Sequence, residues 1–249
     1  MPPYARSTYL DRHRRTVHSA NAILSILRNQ RPGIQSAVDV GCGVGTWLSV
    51  LRENGVSDVL GVDGGWVDPG LLVIPKENFK QVELDKMDIR LPRKFDLAIS
   101  LEVGEHLPPE RAERFVRSLT ELSDCVLFSA AIPFQQGKGH VNEQWPSYWA
   151  QLFGAAGYAA HDFIRPLIWN DAQIPFWYRQ NILVYAAPSA FRTEVPETGL
   201  AAANAKPLDL VHPELYLEMA DMRIGVRSSL SLLGRALGDF IRKKCGRNA

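Results

Sequence analysis

The chain has 249 residues, 46% of them hydrophobic and 22% charged, a balance that supports one substantial core, or one domain with an appendage, and excludes a disordered or fibrous protein. A formal net charge of +1 gives no bulk electrostatic reason to bind nucleic acid. The three widely spaced cysteines make no disulfide framework, the N-terminal stretch lacks the apolar centre of a signal peptide, and no run approaches the roughly 18 apolar residues of a membrane span, so a cytoplasmic protein is expected.

In chain order, residues 1–35 are polar and basic. Apolar positions Val17, Ala20, Ile23, Leu24 and Leu27 repeat at helical spacing, which predicts a helical cover packed beside the glycine-rich loop at 41–45. From 36 to 187, apolar strand-like runs alternate with helical patterns, the signature of a parallel sheet with helices on both faces. The first run enters VDVGCGVGTW, residues 38–47, where Asp39 precedes Gly41, Gly43 and Gly45. Glycines at this spacing allow a tight turn with bare backbone, aimed at the N-terminus of a helix predicted over 46–54. The dinucleotide fingerprint has its third glycine five residues after the first; here it comes after four. A carboxylate at Asp39 repels a pyrophosphate and suits an ammonium.

A second strand, 59–63, ends in Asp63, placed where an acid takes ribose hydroxyls in doubly wound sheets. A third, 79–83, ends in Glu83, with Asp85 and Asp88 close behind. The fourth, 95–103, runs into Gly104, Glu105 and His106, and a helix over 109–122 begins with Pro109 in its first turn. The fifth strand is 126–132. Two further extended runs, 161–169 and 181–187, read as a closing hairpin joined by an aromatic connection, with a helix over 147–156 before them.

The loop after strand five, 134–145, carries a histidine, amides, a carboxylate and a tryptophan, groups costly to place near a core without partners. His140 is the lead candidate for a general base, since a neutral imidazole titrates near 6.5. Glu143 is placed to orient it, and Asn142 and Trp145 to contact a polar substrate. His106 is a second candidate, with a structural role as its alternative. Trp177, Tyr178 and Arg179 are candidates for an acceptor wall. His140, Glu143 and His106 could converge on a metal, but their spacing matches no standard signature, and no metal is expected.

On the D-x-G-x-G-x-G loop, the strand-end acids, and the phrases FDLAISLEVGEHLPP and HVNEQWPSYW, residues from about 36 to 187 resemble the class I S-adenosylmethionine-dependent methyltransferases, and most closely bacterial single-domain members. The resemblance implies a Rossmann-like doubly wound α/β sheet of seven strands, six parallel and the last antiparallel. It also implies S-adenosylmethionine as cofactor. Asp39, Gly41, Gly43 and Gly45 would hold its methionine part, Asp63 its ribose, and Glu83 or Asp85 its adenine, with Leu101 beside it. Relatives of this type decorate glycans or secondary metabolites, which implies methyl transfer to a small polar acceptor, first of all a hydroxyl. Nitrogen or carbon acceptors stay open, as do a nicotinamide-dependent oxidoreductase and a non-catalytic cofactor-binding protein.

Residues 188–210, rich in Ala, Pro and Thr, read as a linker to a C-terminal helical extension, 211–249. It comprises a short helix over 213–222 and a basic amphipathic helix over 226–244, suited to docking on the parent domain, to a dimer contact, or to a peripheral membrane surface.

Overall fold

The structure, a computed structural model, describes residues 6–191, 207–224 and 233. It divides into two compact units, residues 1–210 and 211–249. The first holds a seven-stranded sheet in the order β3-β2-β1-β4-β5-β7-β6. Its strands are β1 (Ser36–Val40), β2 (Asp58–Asp63), β3 (Phe79–Gln81), β4 (Leu97–Leu101), β5 (Cys125–Ser129), β6 (Ala159–His161) and β7 (Leu183–Ala186). β7 runs antiparallel to both of its neighbours, β5 and β6, and the remaining pairings are parallel. Six strands are therefore parallel and one antiparallel.

Side chains that alternate along each strand feed two cores, one on each face. Ala37, Leu97, Ile99, Leu101, Cys125, Leu127 and Val184 point to one face, where they meet α1 (Arg6–Gln30) and α2 (Thr46–Glu53). Val38, Val40, Ala98, Val126, Phe128 and Tyr185 point to the other, against α3 (Ala112–Leu122) and α4 (Pro146–Ala155). The helical pattern at the N-terminus is real: Ala20, Ile23, Leu24 and Leu27 are buried in the core that includes Trp47, Leu48 and Leu51 of α2. Asp39 lies on this same face, one residue before β1 ends, and so is delivered to the carboxyl edge of the sheet as a buried group.

The closing antiparallel pair is present as β6 and β7, but its first arm needs correction. The strand is Ala159–His161, not 161–169, and the chain then forms α5 (Arg165–Ile168) and, after Pro175, α6 (Phe176–Asn181). The cause is a buried ion pair. Asp162 accepts from Arg165 Nε at 2.9 Å and Nη2 at 2.7 Å, while Nη1 donates to the carbonyls of Gln180 and Leu208. Satisfying the guanidinium this way folds the segment inward, and Pro166 sits where a first helical turn tolerates it. The aromatic residues 176–178 are thus helical. The helix expected from Pro109 opens with a single 3-10 turn and becomes α-helical at Ala112.

Residues 207–210, within the stretch read as a linker, are pinned to the first unit: Asp209 accepts from the Ser147 amide at 2.9 Å and its hydroxyl at 2.7 Å. In the second unit α7 spans Pro213–Ile224. The expected basic helix over 226–244 lies outside the described residues, apart from Leu233. Among the described residues no helix is long and apolar enough to cross a membrane.

Candidate active site

At the carboxyl edge of the sheet, β1 turns into α2 through Gly41, Gly43 and Gly45, with φ of 84°, 54° and 88°. All three are in the left-handed region that glycine alone enters cheaply. Their roles differ. A Cβ on Gly41 would stand 2.2 Å from a Val103 methyl, and one on Gly45 would stand 2.9 Å from Ile74, so these two allow close packing. A Cβ on Gly43 would meet nothing within 4 Å: here the backbone is open to a ligand.

The Asp39 side chain is buried, and its Oδ2 has no hydrogen-bond partner. Burial, then the nearby charge of Asp63, pushes its carboxyl well above the usual carboxylate range. Asp63 is better served, accepting from the Gly43 amide and the Gly64 amide, both at 2.7 Å. Burial still raises its pKa against the lowering effect of these amides. A cationic group arriving beside Asp39 would restore what burial took away.

Toward β3, the Trp66 ring packs over Gly64, where a Cβ would come within 2.3 Å of it. Asp85 and Leu84 line the cleft beside Trp66. Glu83 is not among the lining residues: it accepts from the Gly65 amide at 3.2 Å and faces Lys86 at 3.9 Å.

The opposite wall comes from the turn after β4 and the loop after β5. Glu102 adopts a φ of 55°, a strained conformation for a non-glycine residue. Burial raises its pKa, yet Asn181 and Gln135 side-chain amides each donate to one of its oxygens at 3.1 Å. Glu105, one turn on, is the reverse case. It is 0% exposed and neither carboxylate oxygen has a hydrogen-bond partner of good geometry. Burial, then the charge of Glu102, drives its pKa well up.

His140 lies against Glu105, with Nε2 at 4.0 Å from Oε1, and its Nδ1 is 2.9 Å from Glu143 Oε1. Glu143 in turn accepts from the Phe134 amide at 2.8 Å, which ties both ends of the loop together. The His106 and His140 rings meet edge to face at 4.9 Å between centroids. The backbone carbonyl of Glu105 accepts from the amides of Val141 and Asn142 at 2.8 and 3.0 Å, so this wall is one hydrogen-bonded unit.

Together these elements enclose a cleft of about 700 Å³. That is room for a nucleoside-sized ligand and a small second molecule. Of the residues anticipated from sequence, Asp39, Gly41, Gly43, Asp63, Asp85, Leu101, His106, His140, Trp177 and Tyr178 line it. Gly45, Glu83, Asn142, Glu143, Trp145 and Arg179 do not. Asn142 is buried and accepts from Gln144, Trp145 precedes α4, and the buried Arg179 donates to the Trp169 carbonyl. Sequence reasoning gave no role to His13 and Thr16 of α1, Glu102 or Gln135, all in the cleft wall. His13 Nδ1 is 3.0 Å from the Thr46 hydroxyl, so α1 reaches the glycine loop directly. A smaller cavity of about 290 Å³ between α1 and α2, near Arg28 and Asn54, holds no acid–base pair.

The family described as "Methyltransferase domain" matches residues 10–162. Among solved structures, DesVI of Streptomyces venezuelae is similar with a TM-score of 0.51 at 16% identity, covering 70% of this chain and 92% of that one. An O-methyltransferase family protein from Burkholderia thailandensis is similar with a TM-score of 0.51 at 13% identity, over 72% of this chain and 58% of that one. At such identities the likeness concerns the fold. No curated protein matches the chain.

Proposed function

We propose, for a chain that belongs to the S-adenosylmethionine-dependent methyltransferases, that it methylates a hydroxyl of a small polar acceptor such as a sugar or secondary metabolite. The observation that carries this reading is the two-sided cleft: a glycine loop beside a buried carboxylate with an unpartnered oxygen on one wall, and an imidazole held by a carboxylate on the other.

The cofactor supplies a methyl group already activated by its sulfonium. The chain fits such a molecule at specific atoms. Asp39 has an unpartnered buried oxygen for an ammonium, Gly43 leaves backbone open, and Asp63, Trp66 and Asp85 form the polar and aromatic end suited to ribose and adenine. What remains for the protein is to place the acceptor and receive its proton. His140 is the residue placed to do this. Its Nδ1–H donates to Glu143, which fixes the tautomer with the lone pair on Nε2, 4.0 Å from Glu105 in the cleft wall. Trp177 and Tyr178 supply apolar surface across the same space.

The test is transfer of label from methyl-labelled S-adenosylmethionine to a panel of sugars, glycosides and phenolic metabolites. Labelled methyl ether is the expected product. Transfer only to amines or carbon nucleophiles would overturn the hydroxyl assignment.

A further inference from the structure

Glu105, His106 and His140 each offer a ligand atom, and these atoms lie within 4.8 Å of one another in the cleft wall. We infer that this triad binds a divalent transition-metal ion, which holds and acidifies the acceptor hydroxyl; the inference rests on the hydroxyl-acceptor reading above.

Three features support a cation here. Glu105 is a fully buried carboxylate with no hydrogen bond of good geometry, and the nearest group able to carry positive charge, His140 Nε2, stands 4.0 Å away, so a cation between them would offset the desolvation of the charged form. Both histidines are dressed as metal ligands are. Nδ1 of His106 is 3.2 Å from the Gly139 carbonyl and Nδ1 of His140 is 2.9 Å from Glu143, so in each the tautomer with its lone pair on Nε2 is favoured. The supports are also built in advance, since the Glu105 carbonyl is hydrogen-bonded by the amides of Val141 and Asn142, directly after His140.

The donor set selects the ion. Two imidazoles and one carboxylate suit zinc, manganese, iron or cobalt, whereas magnesium and calcium prefer oxygen alone. Ligands around one such ion sit about 2.0–2.2 Å from it, so the triad has to close by about 1 Å. A change of His140 side-chain torsion, on a loop that turns at the left-handed Gly139, spans that distance. The anticipated convergence had Glu143 as the third ligand. The fold instead uses Glu105 and leaves Glu143 to orient His140.

Three protein ligands leave coordination positions open to a hydroxyl, or to two adjacent ones, of the acceptor. With the cation present, His140 Nε2 acts through it. The acceptor O–H bond breaks, its proton leaves to water in the cleft, the oxygen forms the new bond to the methyl carbon, and the sulfur keeps the electron pair of the bond that breaks.

The full chain, stripped with chelator, is titrated with Co²⁺ alone and followed by visible d–d absorption. One saturable equivalent is expected, with binding weakened at least about 100-fold in Glu105→Gln and in His140→Ala. Glu105→Gln keeps the side-chain volume and needs no buried charge, so thermal unfolding should find it as stable as the parent, which separates a lost site from a lost fold. A missing saturable band, or one that persists unchanged in both variants, overturns the proposal. This readout involves no acceptor and no turnover. Its failure leaves the methyl-transfer reading standing, and a failure to methylate any hydroxyl leaves the cation standing.

Discussion

Along the glycine loop, the carboxylates Asp39 and Asp63 face the cleft from within a residue of the end of a strand, beside open backbone at Gly43. Across the cleft the polar groups are side chains from a turn after β4 and a loop after β5, brought together from positions 102–106 and 135–143. The first wall is set mainly by the sheet: β1 pairs with β2 from Ser36 to Val40, which brings the strand ends that carry Asp39 and Asp63 together, and the Gly43 and Gly64 amides then hold the Asp63 carboxylate. The second is held by its own hydrogen bonds, through the Glu105 carbonyl, Glu143 and the Gln135–Asn181 amides. Each wall leaves a buried carboxylate short of good hydrogen bonds, at Asp39 Oδ2 on the first and at Glu105 on the second. Binding groups are thus kept unsatisfied where a ligand is to complete them.

If this division is right, substitutions on the two walls separate binding from turnover. The largest expected effect is on the second wall: His140→Ala lowers the rate of methyl transfer by about 100- to 10,000-fold while S-adenosylhomocysteine binding, measured by calorimetry, changes little. Gly41→Ala comes next. It forces a methyl into Val103 at a left-handed φ, and we expect at least about 100-fold weaker cofactor binding with a stability loss of about 2–4 kcal/mol in denaturant unfolding. Asp39→Asn weakens cofactor binding by about 10- to 100-fold, the value of one charge-assisted contact.

The same substitution has a pH signature. Folding raises the Asp39 pKa, so between the ordinary carboxylate range and that raised value the folded protein holds more protons than the unfolded chain. Stability without cofactor therefore falls as pH rises through this window, and Asp39→Asn flattens the fall in melting temperature. Glu143→Gln, which leaves His140 in place but loosens its orientation, should cost about 10-fold in rate. The smallest effect on stability is expected at Gly43, where a Cβ meets open space: Gly43→Ala should cost only about 1 kcal/mol in unfolding, while cofactor binding, which uses that open backbone, weakens by about 10-fold or more.

The difference between the walls also explains what could be read from sequence. Asp39, the glycines and Asp63 are legible because one strand and its following turn put the chemistry into contiguous letters. The alternation of Leu97, Ile99 and Leu101 against Ala98 likewise announces a strand buried on both faces. The antiparallel closing pair forms, but its first arm ends at His161 and not at Trp169, because the Asp162–Arg165 pair and the two carbonyls that complete the guanidinium look in sequence like two ordinary surface charges. Glu105 stands in plain view inside GEH, but its importance comes from burial, which residue spacing does not encode. Its meeting with His140 joins a turn and a loop from different crossovers. His13 and Thr16 are hidden by a helix pattern that reports which face is apolar, not what the polar face approaches.

The most direct measurement is a structure with S-adenosylhomocysteine bound. We expect its amino-acid end at Asp39 and the glycine loop, its adenine by Trp66 and Asp85, and its sulfur open toward His140 and Glu105. A ligand whose sulfur faces away from His140, with the Glu105 wall out of reach of any acceptor, would contradict the two-walled account.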